Sequence, residues 1–100
     1  MKPGRVIGTV TLSQGAPQFR GARWLVVSPM GREELCGKNK GLSQAATPIV
    51  YDNLGAGRGD EILYVEGAEA TQPFENPIPI DAINVAILDR YTFLPPDANP

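Results

Sequence analysis

Glycine and proline interrupt this chain throughout, eleven and ten times in 100 residues. In a helix interior glycine costs about 1 kcal/mol and proline about 3 kcal/mol, so their even spread favours many turns and short strands over long helices. A chain of 100 residues supplies one hydrophobic core with a modest stability margin, and association with further subunits would widen it.

Between the interruptions the apolar residues recur at strand periods. In Arg5–Ser13, "RVIGTVTLS", Val6, Gly8, Val10 and Leu12 fall on one face and Ile7, Thr9 and Thr11 on the other. Gly8 inside that run predicts a bulge or sharp bend. "WLVV" (Trp24–Val27), "PIVYD" (Pro48–Asp52) and "EILYVE" (Glu61–Glu66) read as further strands. "AINVAILDRYTFL" (Ala82–Leu94) is the longest, and its near-continuous apolar character predicts cover on both faces. The polar stretch 31–47, "GREELCGKNKGLSQAAT", reads as a long hairpin or an excursion, with one helical turn over "GREEL". "GAEATQ" reads as a turn of helix, and the prolines of "PFENPIPI" impose an extended path after it. The expected fold is mainly β: a small, partly open, OB-like five-stranded antiparallel β-barrel with one short helix. It occupies a single domain over residues 1–94, and a short polar tail follows over 95–100.

Composition removes whole classes of chemistry. The chain has no histidine and one cysteine, Cys36, so disulfide frameworks, Cys/His zinc sites and histidine-dependent triads have no material. A net charge of −2 gives no reason to expect nucleic acid or an anionic membrane as partner, and no apolar run approaches the length of a membrane span. A cytoplasmic protein without metal or cofactor is the expectation. Carboxylates are the only acid–base groups available, and none stands in a catalytic spacing. Glu33-Glu34 and Asp60-Glu61 read as solvated turn residues. Asp81 reads as a turn-tying side chain that accepts from nearby backbone N–H groups. Asp89, inside an apolar strand, needs a basic partner such as Arg90 of a neighbouring chain. Lys38 and Lys40 lie near Cys36, but an incidental thiol is the simpler reading.

"DNLGAGRGDEILYVEG" (52–67) raises three alternatives. A dinucleotide-binding loop needs a third glycine where Asp60 stands and a helix where "EILYVE" follows. The Arg58-Gly59-Asp60 tripeptide is a short match with nothing else pointing outside the cell. A tight strand-to-strand connection remains, with glycines serving positive φ or close approach of another backbone. Three glycines exceed the need of one turn, which adds close approach by a neighbouring subunit as an expectation.

Two segments in order carry a resemblance: "D-x-x-G-A-G-x-G-[DE]" (Asp52, Gly55, Ala56, Gly57, Gly59, Asp60) and "[IV]-D-A-x-[IV]-x-A-I-[LIV]-D" (Ile80 to Asp89). With the opening "GRVIGTVTLSQGAPQFRGARWLVV", they make the chain resemble the EutN/CcmL family of bacterial microcompartment vertex proteins (BMC-P) over roughly Arg5 to Tyr91. The resemblance implies an OB-like barrel assembled as a cyclic homopentamer. Such rings close the fivefold vertices of polyhedral shells, docked against hexameric and pseudohexameric shell proteins. A flat hexagonal sheet closes only through pentagonal defects, and a small wedge with ring-closing contacts supplies one. On this reading the protein is structural and not an enzyme. Asn53, Gly55, Ala56, Gly57, Arg58, Gly59 and Asp60 are then the candidates for the pentamer interface or axial opening, with Arg58 projecting. The chain departs from the family pattern at 31–47 and after "YVEG". The alternative is a monomeric OB-type module that binds a ligand or single-stranded nucleic acid, which needs a basic groove with stacking aromatics.

Overall fold

The computed structural model describes residues 1–93, so the tail expected at 95–100 and the Leu94 end of the fifth strand lie outside the described residues. Five strands follow in order: β1 (Lys2–Val10), β2 (Arg23–Pro29), β3 (Ile49–Asp52), β4 (Glu61–Glu66) and β5 (Ala82–Ile87). One helical turn, α1 (Arg32–Leu35), separates β2 from β3, and short 3-10 turns span Pro17–Phe19 and Gly67–Thr71.

The strands close into a barrel in the order β1-β2-β3-β5-β4, where a partly open one was expected. Five strands cannot alternate in direction around a closed ring, so one seam must be parallel. That seam is β3–β5, joined through Tyr51 and Ile83, while the other four are antiparallel. The bulge predicted at Gly8 is present: the register between β1 and β2 shifts between Val6 and Gly8. Such an extra residue bends the strand and increases its twist, as closure of a small barrel requires.

Two strand boundaries differ from the periodicity. β1 begins at Lys2, because Lys2, Pro3 and Gly4 pair with Tyr64, Leu63 and Ile62 of β4. It ends at Val10, opposite Trp24, where β2 has one residue left to offer; Leu12 is left 43% exposed. β5 stops at Ile87, opposite Ile62, one residue from the start of β4. Asp89 therefore lies in an exposed bend beyond the strand, not inside it. The expected cover on both faces of β5 also fails within the protomer, since Val85 and Ile87 are 40% and 42% exposed.

Alternate residues fill the barrel: Val6, Leu25, Val27, Val50, Ile62, Tyr64 and Ala82 form one buried cluster together with Ala56. Of the aromatics, Tyr64 belongs to this cluster. Phe19, Trp24, Tyr51 and Phe74 instead form a chain of edge-to-face contacts across β2 and β3, with centroids 4.7, 5.4 and 5.1 Å apart. Each such pair adds about 0.5–1.5 kcal/mol beyond area burial. The chain ties the "PFENPIPI" segment to the barrel through Phe74.

The 31–47 stretch contains no hairpin; α1 is its regular part. Glu34 organises it, accepting from the Gly31 N–H at 2.7 Å and from Asn39 Nδ2 at 2.9 Å. These bonds, Asn39 first, lower the Glu34 carboxyl below its ordinary value. The stretch folds back onto the barrel where Arg5 Nη1 donates to the Lys40 carbonyl (3.2 Å) and the Ser43 N–H donates to Ser28 Oγ (3.2 Å). Cys36 is half-buried, its thiol 3.5 Å from the Glu33 carbonyl.

Gly4 is the tightest glycine. A Cβ there would overlap Val27 Cγ1 and stand 3.0 Å from Tyr64 Cε1. Overpacking of this kind costs about 1–3 kcal/mol, so Gly4→Ala should lower the urea midpoint by a corresponding amount. At Gly8 a Cβ would find Val26 at 3.8 Å, an ordinary contact. Gly8→Ala should therefore stay within about 0.5 kcal/mol of the parent.

A second expectation concerns alkaline pH. Burial raises the Tyr64 hydroxyl above 10.0, burial and the Glu61 carboxylate raise Tyr91 above the same value, and the hydrogen bond to Glu66 raises Lys2 above 10.5. Each group holds its proton more firmly in the folded chain than in the unfolded one. The stability they contribute is intact below pH 10.0 and is lost as the pH climbs through the raised folded values. Urea midpoints should fall as the pH rises above 10.0, and Tyr64→Phe should flatten that fall.

Candidate functional site

The glycine-rich connection from β3 to β4 is built around Asp52, the last residue of β3. Its side chain is fully buried. Oδ1 accepts from the Leu54 N–H (3.1 Å) and from Asn84 Nδ2 (3.0 Å). Oδ2 accepts from the Gly55 N–H (3.1 Å), the Ala56 N–H (3.0 Å) and Arg23 Nη1 (2.7 Å). Arg23 Nη2 also donates to the Ala56 carbonyl at 3.1 Å. Three successive backbone N–H groups thus converge on one anion, the arrangement of an anion-binding nest. The anion is the protein's own carboxylate. This is the structural answer to the phosphate-cradle alternative: the amides that would cradle a ligand are already turned inward.

Each predicted site residue has a definite place in this connection. Asn53, Gly55, Arg58 and Gly59 are exposed, and Gly57 and Asp60 are half-buried. Ala56 is wholly buried in the barrel's own core cluster, so its methyl serves the protomer interior. Gly55 and Gly59 have φ of +88° and +95°, the left-handed region that favours glycine, with open space around them. Gly57 lies outside that region, and the nearest atom to a Cβ there would be Asp60 Oδ2 at 3.9 Å. Two of the three glycines are therefore explained by turn conformation; the protomer alone gives no reason for Gly57. Asp60 is a bonded turn residue, not a solvated one: its Oδ2 accepts from the Gly57 N–H at 2.8 Å. Its carbonyl accepts from Val6 N–H and the Gly59 N–H donates to the Val6 carbonyl, both at 2.8 Å, which seats the end of the connection on β1.

Asp81 ties its turn through the backbone. Its carbonyl accepts from the Gly67 N–H at 2.8 Å, while its carboxylate is exposed and unbonded among the described residues. Asp89 likewise has no ion pair within the described part of the protomer. Sequence reasoning placed Asp52 in the motif but gave it no role, and it passed over Arg23 and Asn84. The available signal was an aspartate preceding a glycine-rich turn by three residues, together with a lone asparagine in the apolar run "AINVAIL".

Among the described residues no cluster of three or more His, Cys, Asp or Glu side chains is placed to hold a metal, and no helix is long and apolar enough to cross a membrane.

Removing the Asp52 carboxylate would orphan three amides and Asn84 Nδ2, while Arg23, half exposed, keeps water and the Ala56 carbonyl. Leaving buried donors unpaired costs about 1–3 kcal/mol each. Asp52→Ala should lose stability on that scale in urea unfolding, with faster amide exchange at residues 54–56. Gly55→Ala should lose about 1–2 kcal/mol through left-handed strain alone.

Comparison with known proteins places this geometry. The family model described as ethanolamine utilisation protein EutN/carboxysome matches residues 1–89. None of the curated protein sequences compared matches the chain. Among solved structures, the pentameric microcompartment shell protein GrpN from Rhodospirillum rubrum is 29% identical, with a TM-score of 0.76 over 93% of this chain and 100% of that one. CcmL of Nostoc sp. PCC 7120 is 30% identical, with a TM-score of 0.74 over 91% and 92% of the two chains. The pentameric shell protein MSM0273 from the RMM microcompartment is 26% identical, with a TM-score of 0.74 over 100% and 99%. A closed five-stranded barrel, the glycine connection after Asp52 and a family match over residues 1–89 lead to one assignment: this chain belongs to the EutN/CcmL family.

Proposed function

We propose that this chain is a structural vertex protein: a homopentamer that caps the fivefold corners of a bacterial microcompartment shell in the cytoplasm. The observation that carries the reading is the family match over residues 1–89, supported by likeness in fold to shell proteins described as pentameric. Residues 1–94 form its single domain. Its work is geometric. A ring of five introduces the pentagonal defect that lets a sheet of hexagonal tiles close, and the outer walls of the ring dock against hexameric and pseudohexameric shell proteins. No catalytic step is assigned to it.

The protomer itself supports association. Val85 and Ile87 of β5 and Leu54 of the glycine connection remain exposed, and the parallel register of Tyr51 with Ile83 sets Val85–Ile87 beyond the end of β3. The unexplained smallness of Gly57 fits a neighbouring subunit that comes close to the connection. Asn53–Asp60 accordingly lies at or near the subunit interface or the axial opening on this reading.

Native mass spectrometry is the direct test. Five copies of the 10.7 kDa chain give a particle of about 53 kDa. A monomer that binds single-stranded oligonucleotides in a salt-sensitive way would establish the OB-type module instead. Gly57→Arg should leave the protomer folded, since a Cβ there makes only an ordinary contact with Asp60 Oδ2 at 3.9 Å, and should abolish the five-copy species.

A further inference from the structure

A cyclic ring requires a heterologous contact, in which each copy offers two different patches, one to each neighbour. The protomer carries one concave and one projecting candidate. The concave one is a hollow of about 230 Å³ on the outer surface, lined by Leu12, Phe19, Trp24, Ile49 and Ile80 with Asp81 at its rim. Leu12 and Ile49 are each 43% exposed, which is unusual for large apolar side chains that flank a depression. The hollow is smaller than the roughly 300–1,000 Å³ of ordinary small-molecule sites; it suits an inserted side chain better than a metabolite.

The projecting candidate is the connection Asn53–Asp60. Leu54 is 48% exposed there, and Arg58 stands between two glycines with no bulk beside it. The connection is firmly seated, by Asp52 at one end and by Val6 of β1 at the other, so it can press on a neighbour without collapsing. The two patches are complementary in charge. The Arg58 guanidinium and the Asp81 carboxylate are both exposed, and neither makes a hydrogen bond or ion pair among the described residues.

Building on the pentamer reading, we infer that the Asn53–Asp60 connection of one copy docks on the hollow of the next. Leu54 enters its apolar floor and Arg58 pairs with Asp81 at its rim. The occupant is a second copy of this chain, and the same contact recurs around the ring. The pair sets register: a like charge at either position repels across every subunit contact.

Charge exchange tests it. Arg58→Glu or Asp81→Arg alone should raise the subunit concentration at half-dissociation by about tenfold or more, read by native mass or sedimentation across a dilution series. Both residues are exposed, so the circular dichroism of each variant should match that of the parent. The double variant Arg58→Glu/Asp81→Arg should recover the pentamer, because the reversed charges meet again across each contact. Single reversals that dissociate no more readily than the parent pentamer would overturn the contact, and so would a double variant as weak as the two singles combined. A parent chain that is not pentameric would overturn the vertex reading itself, and this contact with it.

Discussion

One buried carboxylate ties the glycine-rich connection, β2 and β5 to the end of β3. Asp52 ends β3, accepts from three amides of the connection to β4, and bonds to Asn84 on β5 and Arg23 on β2. A buried charge of this sort is tolerated only when its lone pairs are filled and a cation is near. Here five donors share two oxygens, and Arg23, with its side chain 48% exposed, keeps its guanidinium in touch with water. The arrangement costs less desolvation than an ion pair enclosed on all sides. It also compensates for a weakness of the fold. The parity of a five-stranded ring forces one parallel seam, and that seam has a single paired position, Tyr51 with Ile83. The Asn84–Asp52 bond lies one residue further along on the inside and fastens the seam where the ladder ends.

How far this was legible in the sequence depends on the range of the interaction. Glu61–Glu66 was read with its boundaries intact, and the bulge at Gly8 was foreseen, because period and glycine placement are local signals. β1 was displaced and β5 overrun for a common reason: a strand ends where its partner ends, and apolar character continues past that point. After Ile87 the Leu88 N–H still donates to the Glu61 carbonyl, but Glu61 is the first residue of β4, so the apolar Tyr91 and Phe93 beyond Asp89-Arg90 have no ladder left to join. The Asp52 network was illegible because its members stand 29 and 32 residues apart, and no spacing rule links them. The aromatic residues show the same limit. Four of them, Phe19, Trp24, Tyr51 and Phe74, come together only through barrel closure, as a strap across β2 and β3.

The 31–47 stretch follows a different rule. It carries almost no regular structure, yet it is anchored by short polar contacts, chiefly those of Glu34 and the Ser43–Ser28 bond. The Glu34 bond to the Gly31 N–H is half of a capping box, since glycine has no side chain to return it. A stretch held in this way leaves the barrel register untouched, because none of these contacts replaces a ladder bond. Variation there is compatible with a constant barrel.

Glycine density, read from sequence, suggested that a whole connection had been stripped for assembly. The structure divides that density among separate physical causes. Gly4 is small because Val27 and Tyr64 fill the space where a Cβ would stand, which is a matter of barrel packing. Gly55 and Gly59 are glycines because the chain turns through positive φ, which is a matter of folding a nest around Asp52. Gly57 alone in the connection has neither reason. A ring contact, if it selects for smallness, acts through that one position, and the remaining contribution to association comes from what the glycines leave standing: Leu54 and Arg58. The connection is better described as a rigid presenting loop than as a flexible or featureless one. Its rigidity originates in a carboxylate that never reaches the surface.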